Sequence, residues 1–184
     1  MIWWLRRAGA VLVGLAIVIW GIGALLPSEW MAEETMEIDA SPTAVERELA
    51  ALEHWSHWTV WNRRHLNELK VETSGRRGAL WEAEALGRVH IEPVVSDGAR
   101  GGDASEDAGR FRYRMTFDET ESAIEGTFRW EPVEGGERTR LTWTQRGTLP
   151  PGAIARWTGL TLVRVFARAD MRESLAALKE RLER

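Results

Sequence analysis

Residues 34–62 read ETMEIDASPTAVERELAALEHWSHWTVWN, and their order of elements decides the fold. Thr35–Ala40 alternates apolar and polar residues, with Met36 and Ile38 on one face, which predicts a short strand. Ser41 then stands at a helix N-cap, and Pro42 fits the first helical position, where its missing N–H leaves nothing unpaired. Val45, Leu49 and Leu52 follow at i, i+4 and i+7, so one stripe of a helix ending near His54 is buried. Trp55, Trp58 and Trp61 come next at a spacing of three. Tryptophan is rarely fully exposed, so three of them in seven residues must cover apolar surface. On an ideal helix they span an arc of roughly 120°. Trp55 continues the core stripe, while Trp58 or Trp61 can reach a cavity mouth.

Beyond this stretch the pattern turns to β. Leu66–Thr73 and Ala79–Ala85 are strand-like, joined by a turn at residues 74–78, and Arg88–Ser96 is a further strand. Residues 97–109, DGARGGDASEDAG, are glycine-rich and acidic and predict an exposed loop. Arg110–Asp118 alternates most regularly: Phe111, Tyr113, Met115 and Phe117 face one way, and Arg110, Arg112 and Arg114 the other. Ala123–Glu131 puts Ile124, Phe128 and Trp130 on its apolar side. Gly135-Gly136 marks a hairpin turn before a strand with Leu141 and Trp143 inside. Pro150-Pro151-Gly152 ends the sheet, and Met171, Leu175, Leu178 and Leu182 then give a helical stripe. A one-faced antiparallel sheet needs a cover, and this C-terminal helix supplies it.

The chain has 184 residues, with 44% hydrophobic and 28% charged content, which fits one globular domain plus an accessory segment. The accessory segment is residues 8–26, AGAVLVGLAIVIWGIGALL, without a charge. As a helix it is about 28 Å long, close to the thickness of a bilayer core. Arg6 and Arg7 precede it, Glu29, Glu33 and Glu34 follow, and Trp3, Trp4 and Trp30 flank it. This predicts an uncleaved single-pass membrane anchor with a cytoplasmic N-terminus and the domain on the extracytoplasmic side, with a signal peptide cleaved near Gly21–Gly23 as the rival reading. The expected division is residues 1–30 for anchor and linker and 31–184 for the domain. Setting aside Arg6 and Arg7, 22 basic residues face 28 acidic ones. A body so charged is a poor holder of nucleic acid. Cysteine is absent, which removes disulfides, thiolate nucleophiles and cysteine metal sites.

Taken in order, MEIDASP (Met36–Pro42), the spaced tryptophans, Trp81 after Gly78, the hairpin GGERTRLTW (Gly135–Trp143) and LAALKERLE (Leu175–Glu183) form a set. That set resembles the SRPBCC superfamily, of the START-like and polyketide cyclase/dehydrase type, over about residues 33–184. The resemblance implies an α+β helix-grip fold: a curved seven-stranded antiparallel sheet wrapped around a long C-terminal helix, with short helices closing one end. It also implies an apolar cavity between sheet and helix for a hydrophobic small molecule or lipid.

The expected ligand-binding residues are Trp58, Trp61, Trp81, Tyr113, Phe117, Phe128, Trp130, Trp143, Gln145, Trp157 and Phe166. The large aromatics among them either fill a core or line a cavity. Tyr113, the sole tyrosine, is a polar anchor candidate with Gln145 and Thr139. Residues 154–168, IARWTGLTLVRVFAR, carry Trp157 and Phe166 among arginines; they are expected to face the cavity, with membrane contact as the rival reading. No metal site is expected, since His54 and His57 lack converging ligands and His65 is farther on. Glu82 and Glu84 share a strand face opposite Trp81 and point to solvent, so no catalytic base and no cofactor are expected. The functional expectation is a membrane-anchored binder of a hydrophobic small molecule or lipid. A cyclase-type enzyme and a regulatory or interaction module without ligand are the alternatives.

Overall fold

The computed structural model describes residues 2–61, 70–73, 78–83, 87–94, 108–118, 120–149 and 151–184, with the side chains of 2–6, 8, 10, 70, 71, 73, 83, 120–122 and 134 left aside. The expected start of the strand at Leu66, the turn at 74–77, Glu84, His65 and most of the 97–109 loop lie outside the described residues.

Helix α1 (Ile2–Leu25) leads through residues 26–28 into β1 (Glu29–Ile38). Helix α2 (Pro42–Ala50), a 3-10 turn (Leu52–His54) and the short α3 (Trp55–Trp58) follow. Strands β2 (Lys70–Thr73), β3 (Ala79–Ala83), β4 (Gly87–Pro93), β5 (Gly109–Phe117), β6 (Thr120–Val133) and β7 (Arg138–Thr148) come next. The C-terminal helix runs as α4 (Ala153–Thr158), a π turn (Gly159–Val163) and α5 (Arg164–Leu182). The strands form one seven-stranded sheet in the order β1-β7-β6-β5-β4-β3-β2, and every neighbouring pair is antiparallel.

The local signals act as their chemistry requires. Ser41 caps α2, its hydroxyl accepting from Ala44 N at 3.4 Å, with Pro42 beginning the helix. Strand β1 starts six residues before the expected Thr35 because it pairs with β7 over ten positions, from Glu29 opposite Thr148 to Ile38 opposite Thr139. That pairing draws Trp30 into the core, where its indole covers Gly147, instead of leaving it to flank the apolar helix. Glu82 is exposed, opposite Lys70 on one side and Arg88 on the other.

The core lies between the concave face of the sheet and the second half of the C-terminal helix. Met171, Ser174, Leu175 and Leu178 are its buried residues, and Leu182 is half-buried. Ser174 Oγ accepts from the Val60 backbone N–H at 2.9 Å and so ties the tryptophan segment to the helix. Near the C-terminus, Lys179 Nζ donates to the Glu37 carbonyl at 2.8 Å and Glu183 accepts from Asp39 N at 2.8 Å. Arg181 bonds Glu48 of α2, whose other oxygen meets His54 Nδ1 at 3.0 Å.

The first half of the C-terminal helix departs from expectation. Trp157 is 39% exposed and Phe166 61% exposed, with Ile154, Leu162 and Val165 also exposed. These residues do not close the sheet; in this half of the helix Leu160, Val163 and Ala167 pack against the core, and full burial of the large side chains begins at Met171. Helix α4 packs against α1 instead. Arg156 Nη1 donates to the carbonyls of Ala24, at 2.5 Å, and Leu26, at 3.2 Å, and Trp157 Nε1 donates to Ile19 O at 3.1 Å. A guanidinium there satisfies orphan carbonyls at the negative end of the helix dipole. Gly23 makes the approach possible, since a Cβ there would stand 2.6 Å from the Ala153 side chain. At the π turn, Thr161 Oγ1 donates back to the carbonyls of Trp157 and Thr158, at 3.0 and 3.2 Å, where the regular helical bonds are displaced.

The span expected at residues 8–26 coincides with α1 up to Leu25, but among the described residues no helix is long and apolar enough to cross a membrane.

Candidate functional site

The chamber between sheet and helix is built on three adjacent strands. Tyr113 on β5, Gly126 on β6 and Gln145 on β7 stand directly opposite one another. Glycine in the middle strand leaves the space that the Tyr113 ring occupies; a Cβ at Gly126 would overlap its Cζ, Cε1 and hydroxyl oxygen. The ring thereby reaches across β6 to β7. Its hydroxyl accepts hydrogen bonds from Trp143 Nε1 at 2.9 Å and Gln145 Nε2 at 3.0 Å. Burial pushes the Tyr113 hydroxyl well above the ordinary tyrosine range, partly opposed by these two hydrogen bonds, so it stays protonated at neutral pH. Gly109 under Trp130 and Gly147 under Trp30 repeat the device of an aromatic laid over a cross-strand glycine.

Around this polar knot the aromatic rings interlock. Trp55 meets Tyr113 edge-on at 4.9 Å and Phe128 at 5.6 Å between centroids, and Phe128 stacks on Trp143 at 4.9 Å. Trp58 packs edge-on against Phe128 and Trp143. Among the described residues, a void of about 10 Å³ is left beside these rings, lined by Trp55, Thr59, Trp61, Trp81, Tyr113, Met115, Trp143 and Gln145. That is room for one water at most. Trp55 Nε1 donates to the Leu49 carbonyl at 2.9 Å, but the buried Nε1 atoms of Trp58 and Trp81 have no partner among the described residues.

Of the expected ligand-binding residues, Trp61, Trp81, Tyr113, Trp143 and Gln145 border this void, and Trp58 and Phe128 form the packing behind it. Phe117 pairs with the half-buried Trp61 at 6.3 Å. Trp130 is buried over Gly109, away from the void. Trp157 and Phe166 are not brought to it. Thr139 is buried, but its hydroxyl donates to the Ala40 carbonyl at 2.6 Å and anchors β7 to the start of α2. Trp55, Thr59 and Met115 border the void without having been expected there. The inward phase of Met115 on its strand was a readable signal. Thr59 follows from the break after α3, where ψ becomes 137° and turns the chain back. Among the described residues no group of three or more His, Cys, Asp or Glu could hold a metal ion.

Residues 29–183 match the family of polyketide cyclase/dehydrase and lipid transport proteins, and the chain belongs to that family. Its fold is similar to the di-domain ARO/CYC BexL from the BE-7585A biosynthetic pathway, with a TM-score of 0.56 at 18% identity over 82% of this chain. The match covers 45% of BexL, so this chain spans under half of that protein's length. It is also similar to a START superfamily protein from Mycobacterium smegmatis, with a TM-score of 0.53, 18% identity and coverage of 83% and 97% of the two chains. A Thermus thermophilus protein shares 24% identity, with a TM-score of 0.55 and coverage of 83% and 96%. No curated protein matches the sequence.

Proposed function

We propose that the protein is a membrane-anchored binder of a hydrophobic small molecule or lipid that carries a hydrogen-bond acceptor such as a carbonyl or hydroxyl oxygen. The observation that carries this reading is the buried indole N–H of Trp81, which borders the void and has no acceptor among the described residues; that of Trp58, in the packing behind it, is likewise without one. A buried unpaired donor costs about 1–3 kcal/mol, and an acceptor on a ligand would remove that cost. Apolar walls with a few placed polar groups are what such sites use. The void as it stands is too small for such a ligand, so binding requires displacement of ring packing, for which the half-buried Trp61 at its edge is best placed. Tyr113, held protonated, would serve as a hydrogen-bond partner and not as a base.

Anchoring through α1 is part of the same proposal. Its aliphatic side chains from Val11 to Leu25 stand exposed, as do Ile154, Leu162, Val165 and Phe166 of the helix beside it. By the positive-inside rule, the arginine pair before the apolar run supports a domain on the extracytoplasmic side. Alkaline carbonate treatment of membranes should leave the chain in the pellet, and release into the supernatant would sink the anchoring.

Ligand binding is tested by organic extraction of the full chain purified in non-ionic detergent, with mass spectrometry of the extract. An apolar species near one per chain, absent from a Met115→Trp variant that fills the void, is the expected result. No such species would favour the second reading, a regulatory or interaction module, which the near-complete filling of the chamber supports.

A further inference from the structure

The opposite, outer face of the sheet carries a separate feature. Arg110 and Arg112 on β5, Arg129 on β6 and Arg146 on β7 surround a concavity of about 480 Å³. Arg110 stands directly opposite Arg129, and Arg112 directly opposite Thr127. Like charges placed face to face across strands are destabilising unless something compensates them.

Elsewhere the sheet arginines are matched: Arg88 with Asp118 at 3.2 Å, Arg138 with Asp39 at 2.6 Å and Arg140 with Glu131 at 2.9 Å. Here they are not. Of the two carboxylates lining the concavity, Glu125 pairs with Arg114 at 2.6 Å, while Glu33 accepts from the Thr144 hydroxyl at 2.8 Å and forms no ion pair with these arginines among the described residues. Arg110, Arg112, Arg129 and Arg146 have no ion pair among the described residues, and Arg112 Nε is buried without a partner. Five arginines therefore face two glutamates around one hollow, in a chain of net charge −4. The hollow is within the range of small-molecule sites, about 300–1,000 Å³.

We propose that the outer face of β5–β7 binds a phosphate-bearing molecule, with Arg110, Arg112 and Arg129 gripping the phosphoryl oxygens and Arg146 engaging the far end. Planar guanidinium forks match phosphate geometry in bidentate pairs, which lysines would not do. Bound phosphate would relieve the Arg110–Arg129 repulsion and give the buried Arg112 Nε–H an acceptor. The site lies across the sheet from the aromatic chamber and does not rest on the ligand reading above. Its phosphate belongs either to a soluble ester or to a lipid headgroup.

The test is calorimetric titration of the full chain, in non-ionic detergent, with sodium pyrophosphate. Saturable binding is expected, weakened at least about tenfold by the Arg112→Gln/Arg129→Gln double variant and unchanged by Arg88→Gln. In the unaltered chain, pyrophosphate should raise the unfolding midpoint beyond the effect of sodium chloride at equal ionic strength. Without ligand, Arg110→Gln should melt no lower than the parent, because it removes a repulsion. Absence of saturable heat, absence of the midpoint shift, or full binding by the double variant would each overturn the proposal. Competition assigns the source. Displacement of pyrophosphate by glycerol phosphate supports a soluble ester, and displacement by phosphatidic acid doped into the micelles supports a lipid headgroup.

Discussion

Tyr113 occupies the space that a side chain on Gly126 would need, and the two residues are direct partners on neighbouring strands. One missing side chain on β6 thus lets a phenol on β5 reach donors on β7 and join three strands at a buried point. Gly126→Ala should force the ring out of place and destabilise the domain by about 1–3 kcal/mol. In thermal melts that is a fall of roughly 3–10 °C for a domain of this size. Adding Tyr113→Leu to Gly126→Ala should recover part of the loss. Strictly additive losses in the double-mutant cycle would show that the two positions are not coupled.

Because Tyr113 is the sole tyrosine, phenolate absorbance reports on it alone. Its folded-state pKa is raised above the ordinary value near 10 by burial. The stability it contributes is therefore fully present below about pH 10 and is lost as pH rises toward the folded value. No phenolate should form in the native chain at pH 10, and ionisation above that should coincide with unfolding as read by near-ultraviolet circular dichroism. A native chain titrating near its ordinary value would contradict the buried hydroxyl.

Ser174→Ala leaves the buried Val60 N–H without its acceptor. The expected loss is about 1–3 kcal/mol, measured by denaturant unfolding. Ser174→Thr, which keeps the hydroxyl, should recover part of it. Equal destabilisation by both variants would point to packing and not to the hydrogen bond.

Gly23→Leu should separate α1 from α4, since the new side chain meets Ala153 and Trp157. Arg156 then loses its carbonyl partners and becomes a protease site. Tryptic cleavage after Arg156 should quicken by about tenfold, corresponding to roughly 1.4 kcal/mol of easier local opening. An unchanged rate would mean that α1 does not guard this segment.

Much of this architecture is written in local chemistry. Ser41-Pro42 begins a helix, Gly135 and Gly136 take the positive φ values of a tight turn, and Met171, Leu175 and Leu178 line the buried stripe. What failed were inferences about what covers an apolar surface. Trp157 and Phe166 lie in a helical, aromatic stretch, and periodicity cannot say whether such a face meets the sheet or another helix. Trp30 sits beside an apolar run and reads as its flank, but ten paired positions with β7 place it in the core. The unpaired arginines were individually legible as outward residues. Their confrontation was not, because Arg110 and Arg129 are brought face to face only by the β5–β6 register.

The joint between α1 and β1 consists of residues 26–28 alone, a reach of about 10 Å even when fully extended. Arg156 braces that joint from the far end of the sequence, holding the last carbonyls of α1 from a helix that also closes the core. The apolar helix is consequently a fixed axle and not a leash. Any rotation of α1 must turn the sheet with it, so the direction in which the arginine face looks is set by how α1 is seated.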